Sequence, residues 1–162
     1  MEQTIFYILA AVMILATLLA ITEKHPVHAI VYLVTSFFSL AVIFYLLAAP
    51  LIAMFEVIIY AGAVMVLFMF VIMMLDLGRP DEARRPALRQ WLLPLLLGGS
   101  ILLSIGALAV APSRAPALAH VVSVQEFAVT LFSRYGVAIE IISMQLLFAV
   151  VGALYLGRRR KS

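Results

Sequence analysis

The sequence predicts an all-α membrane protein with five transmembrane helices. Three observations carry that expectation. Of 162 residues, 66% are hydrophobic and only 12% are charged, and the mean hydropathy is +1.19. A soluble globule of this size has too little interior to hide so much apolar surface, so the surrounding medium is lipid. The apolar residues also come in five unbroken runs, each matching the roughly 20 helical residues that cross about 30 Å of hydrocarbon. Finally, the runs lack the alternation of polar and apolar residues that marks a barrel strand.

The spans read as Thr4–Thr22, Val27–Leu47, Leu51–Leu75, Trp91–Ala111 and Tyr135–Leu156, with residues 1–162 forming a single integral membrane domain. The first run follows Met1, Glu2 and Gln3, with no positive n-region and no small-residue cleavage site. It therefore reads as a retained helix. The second follows a short EKHP turn, and the third is entered through Pro50. Before the fourth lies GRPDEARRPALRQ, polar and punctuated by Pro80 and Pro86, which reads as a connector. Trp91 then stands at headgroup depth. Before the fifth, in the loop Pro112–Arg134, Ser123 and Glu126 form an S-x-x-E capping box. Apolar residues recur there at Val124, Phe127, Ala128, Leu131 and Phe132. That spacing predicts a short amphipathic helix between the fourth and fifth spans, lying on lipid or on a neighbouring protein.

Direction follows from the basic residues. With five spans, one side holds Lys24, Arg79, Arg84, Arg85, Arg89, Arg158, Arg159, Arg160 and Lys161, and the other only Arg114 and Arg134. The positive-inside rule then places the N-terminus outside and the C-terminus in the cytoplasm. The net charge of +3 is a matter of topology, and the RRRK tail reads as an anchor, not as a nucleic-acid site.

Inside these spans the informative residues are polar. A carboxylate at a span's centre costs about 2.5–3.5 kcal/mol on insertion scales. Yet Glu56 stands in the third span and Glu140 in the fifth. Each lies about 7–8 Å inside its helix start, at similar outer depth. One reading is a proton or ion path, since a carboxyl group withdrawn from water can hold and release a proton near neutral pH. The other is that both glutamates reach outward to the headgroups. Tyr60, one α-helical turn deeper than Glu56, offers a hydroxyl that could extend a hydrogen-bonded chain. Ala61, Gly62 and Ala63 permit close approach of another backbone. The third span is also longer than a crossing needs, and tilt or a π-bulge would each absorb the excess. Residues alone do not choose between them, and tilt asks for less. The methionines of this span read as packing. Thr35, Ser36 and Ser39 can bond back to their own helix, and Ser100 with Ser104 reads as a helix-packing face.

The chain has no cysteine, so it offers neither disulfides nor thiolate ligands for iron–sulfur clusters. His25, His28 and His120 are scattered. No metal centre, phosphate-binding glycine loop or nucleophile elbow is expected, and no catalytic residue is assigned.

The stretch EVIIYAGAVMVLFMFVIMMLDLG, from Glu56 to Gly78, resembles the third helix of the subunit J family of bacterial NADH:quinone oxidoreductase, respiratory complex I, equivalent to subunit 6 of the mitochondrial enzyme. HPVHAIVYL from His25 and TLFSRYGVAIEIISMQLLFAVVGA from Thr130 resemble further parts of the same family. The weakest likeness is at Pro112–His120. The resemblance implies a non-redox membrane-arm subunit of a proton-translocating enzyme in the bacterial inner membrane, with a periplasmic N-terminus. Its implied partners are the membrane-arm proteins H, A and K, of which the first binds quinone, together with the antiporter-like subunits and the bilayer. NADH, FMN, iron–sulfur clusters and ubiquinone would belong to the complex, with no cofactor bound by this chain. The resemblance further implies a π-bulge around Tyr60, Ala61, Gly62, Ala63, Val64, Met65 and Val66, acting as a gate on a water and carboxylate path that includes Glu56. Tyr60 would orient water or a neighbouring carboxylate, and Glu140 would be a secondary polar contact. A free-standing proton-coupled exporter and a purely structural scaffold subunit are the rival classes. The odd span count and lack of an internal repeat speak against the exporter.

Overall fold

The computed structural model describes residues 2–74, 88–110 and 122–157, with backbone alone for 88–91. Every regular element among the described residues is helical, without a strand, and five helices are long and apolar enough to cross a membrane. Leu75, the connector residues 78–87, Ala111, residues 112–121 and the RRRK tail lie outside the described residues, as does the side chain of Trp91. Two compact units divide the chain, Met1–Val121 and Val122–Ser162.

In the first unit, α1 is Glu2–Thr22 and α2 is Pro26–Leu46. Proline forces the preceding residue into extended backbone and suits the first helical position. Accordingly His25 is extended (φ −94°, ψ 114°) and α2 begins at Pro26. Proline also takes the first position of α3, Pro50–Phe55, although Ala49 before it (φ −115°, ψ 60°) is neither helical nor extended. Between them α2 ends in a Schellman motif. Ala49 N–H donates to Phe44 O at 3.0 Å and Ala48 N–H to Tyr45 O at 3.2 Å. Ala48 occupies the left-handed region at φ 58°, the conformation that motif requires at its C′ position. This reversal brings the third span back along α2. The fourth, α5, runs Leu88–Val110. It starts three residues before Trp91, so Leu88, Arg89 and Gln90 are helical and not connector.

Leu9, Val12 and Ala16 of α1 pack against Tyr32 and Ile43 of α2 and Leu97 and Ile101 of α5. Spacings of three and four residues put each set on one helix face. Polar groups also cross this seam. Ser39 Oγ donates to Leu9 O at 2.7 Å and Ser36 Oγ to Met13 O at 3.3 Å. Thr17 Oγ1 and Ser36 Oγ stand 2.8 Å apart. Ser36 and Ser39 therefore join two helices, where local back-bonding was the expectation. Thr35 does bond back, to Val31 O at 2.8 Å. Ser100 and Ser104 also bond within their own helix, to Leu97 O and Ser100 O.

An interhelical hydrogen bond in a membrane protein contributes on average about 0.6 kcal/mol and at most about 1.7. Ser39 is fully buried, so Ser39→Ala is expected to fall in the upper part of that range. Thr35→Ala should cost less, because its bond lies within one helix. Unfolding of both variants in mixed detergent micelles checks the order.

In the second unit, α6 is Val124–Arg134 and α7 is Gly136–Gly157. Ser123 is extended, and its Oγ accepts from Glu126 N–H at 3.1 Å. That bond satisfies one of the orphan donors of the first turn. None of the α7 residues is buried.

Candidate functional site

The third span, Pro50–Met74, is not one continuous α-helix. After α3 comes a π-helical segment, Glu56–Val64, and then α4, Met65–Met74. A π-helix closes its hydrogen bonds over five residues, so each hydrogen-bonded loop encloses one more residue than in an α-helix. At its end the Met65 N–H reaches the Tyr60 carbonyl, five residues back, as well as the Gly62 carbonyl.

The burial pattern records the consequence. The buried residues of this span are Ala53, Glu56, Ala61 and Met65. Steps of three and four are ordinary for a helix face. The step of five, from Glu56 to Ala61, is the extra residue of the π segment. In α geometry Tyr60 would stand one turn from Glu56 on the same face, as the residue spacing predicts. Here Ala61 holds the buried position and Tyr60 is 49% exposed.

Gly62 fits this backbone for a specific reason. A Cβ built on it would lie 3.1 Å from the Val57 carbonyl oxygen, also five residues back. That is tighter than an ordinary van der Waals contact, so the absence of a side chain favours the π arrangement at this point.

Glu56 is 8% exposed, at the head of the π segment. Among the described residues its carboxyl has no hydrogen-bond or ion-pair partner. Nor is any described side-chain oxygen both sealed from solvent and unpaired. The Glu56 oxygens therefore keep some contact with solvent. Tyr60 rests its ring on Phe37 of α2, with centroids 5.6 Å apart and planes at 44°.

Of the seven bulge positions, Tyr60 to Val64 lie in the π segment, while Met65 and Val66 lie in α4. The segment also reaches four residues further back, to Glu56. Ala63 and Val66 are exposed, and Gly62 and Val64 are half-buried. Glu140 is exposed on α7, in the other unit. One turn on, Ser143 Oγ donates to Ile139 O at 2.9 Å.

Phe37, Ser36 and Ser39 are the structural participants that residue types alone did not single out. Ser36 and Ser39 had a usable signal, because with Tyr32 and Ile43 they recur every three or four residues along one face of α2. Among the described residues no three His, Asp or Glu side chains gather as metal ligands. His25 and His28 adjoin at the α1–α2 turn, ring centroids 5.5 Å apart.

The family model for NADH-ubiquinone/plastoquinone oxidoreductase chain 6 matches residues 16–156. The NADH-quinone oxidoreductase subunit J of Pseudomonas aeruginosa is 40% identical over 161 residues, covering 95% of each chain. Its counterpart in Escherichia coli K12 is 38% identical, over 97% of this chain and 87% of that one. The subunit J of Rhodobacter capsulatus is 33% identical, over 97% and 82%. With its five apolar helices and near-complete match, the chain belongs to the NADH-ubiquinone/plastoquinone oxidoreductase chain 6 family.

Proposed function

We propose that this chain is a non-redox subunit in the membrane arm of a proton-translocating NADH:quinone oxidoreductase, where its third span couples quinone reduction to proton movement. The observation that carries the reading is Glu56. It is a nearly buried carboxyl with no partner among the described residues, standing where the helix leaves α geometry. An intramembrane carboxyl is costly and so marks a functional position by default. Local π geometry is also often found at functional sites.

In this reading, sister chains and water complete the environment of Glu56, which relays protons or responds to their charge. Tyr60 orients water or a neighbouring carboxylate. The stretch from Tyr60 to Val66 is the gate, able to exchange π for α geometry, and Glu140 is a secondary polar contact. Proteins resembling H, A, K and the antiporter-like chains surround this one in the bacterial inner membrane. The spans form one integral domain there, with the N-terminus periplasmic and the C-terminus cytoplasmic. The α6 helix lies at the outer surface through its apolar face. NADH, FMN, iron–sulfur clusters and ubiquinone act elsewhere in the complex.

Two measurements test this. Solubilised in mild detergent, the chain is expected to migrate with the other subunits of the complex. Migration as a homo-oligomer would instead favour the exporter class. Tyr60→Phe keeps the ring and removes the hydroxyl, so the complex should assemble while proton pumping in membrane vesicles falls several-fold, as for loss of one hydrogen bond worth about 1 kcal/mol. Unchanged pumping would remove the hydroxyl from the path.

A further inference from the structure

The Tyr60–Phe37 contact joins the π segment to α2, and the proton path does not use it. It bears on a structural choice. Counted from Ala53 and Glu56 in α geometry, the next position on the buried stripe is Tyr60. The stripe instead continues through Ala61 and Met65. Ala61 is small and 8% exposed. A tyrosine ring in its place would overpack the seam. Half exposed, with its ring on Phe37 at 5.6 Å, Tyr60 has a favourable aromatic seat off the stripe instead.

We infer that Phe37 is a positioning residue whose ring seats Tyr60 outside the buried stripe and thereby holds the third span in its π register. Two features then act together, one on each helix. Phe37 supplies the seat for Tyr60, and Gly62 leaves space beside the Val57 carbonyl, where a Cβ would come to 3.1 Å. The inference deepens the proposed function by naming what holds the geometry of the third span, and it rests on that reading for its importance to pumping.

Phe37→Leu removes the ring while keeping an apolar side chain, and Phe37→Tyr keeps the ring. Density maps of the complete complex carrying each variant read the backbone directly. The tyrosine variant is expected to retain the π segment. The leucine variant is expected to lose or shorten it, with Val64 replacing Met65 on the stripe.

A second readout uses the absence of native cysteine from the chain. Single cysteines at positions 64 and 65 are labelled with a membrane-permeant maleimide in the assembled complex. With Phe37 in place, position 64 should react faster, since Met65 is 6% exposed and Val64 is half-buried. In Phe37→Leu the order should reverse. An unchanged π segment and unchanged labelling order in Phe37→Leu would overturn the inference. So would failure of Phe37→Leu to join the complex while Phe37→Tyr does, because Phe37 would then serve packing alone. Neither readout depends on pumping, so these results stand apart from the fate of the relay reading.

Discussion

Gly62→Val is expected to lower NADH-driven proton pumping by about tenfold, through a cost of about 1–3 kcal/mol for crowding a packed backbone. The crowding is specific. A Cβ at this position would stand 3.1 Å from the Val57 carbonyl oxygen, and valine adds two methyl groups beyond it. The substitution therefore acts against the π register, and relief by a one-residue shift would place Tyr60 where Ala61 packs. Gly62→Ala adds only the Cβ and should lose less. Pumping and subunit content measured in the same vesicles separate loss of coupling from loss of assembly. If the valine variant assembles and pumps as the native complex does, the glycine has no such role.

Glu56→Gln is expected to reduce pumping by about tenfold, less than the 10²–10⁴ typical of a positioned acid–base group, because water can bypass one carboxyl. Glutamine keeps the size and the hydrogen-bonding ability and removes the exchangeable proton and the charge. Its effect on assembly should have the opposite sign. A carboxylate inside a span opposes insertion by about 2.5–3.5 kcal/mol at the centre, and the amide, still polar, removes the part of that cost due to charge. The complex should form at least as well while it pumps less. A residue kept only for packing would not give that combination. Restored pumping in Glu56→Asp would tie the effect to the carboxyl group, whereas native pumping in Glu56→Gln would exclude the relay.

Helix boundaries and helix register were unequally legible in the sequence. Helix boundaries followed local chemistry and were readable. Pro26 and Pro50 each open a helix at its first position, and Ser123 caps α6 through its own hydroxyl. The length and apolarity of the five spans needed no partner to be recognised. Glu56 was also visible, because one acid in an apolar run is conspicuous whatever the packing. What sequence spacing could not supply was register. A step of five between Glu56 and Ala61 arises only when the helix closes over five residues, and nothing in the order of the residues distinguishes that from tilt. The same limit applied to the partners of Ser36 and Ser39, though not to the face they share. A serine in a helix always has a carbonyl one turn back within reach, so the choice of Leu9 and Met13 on α1 depends on where that helix lies. Phe37 was unreadable for the same reason, since it matters through the ring it touches.

The most direct measurement is a density map of the intact membrane complex around Glu56. The proposed role predicts a hydrogen-bonding neighbour within about 3 Å of its carboxyl, from a sister chain or an ordered water. A carboxyl surrounded by acyl chains, or extended to lipid headgroups with no protein or water partner, would contradict it.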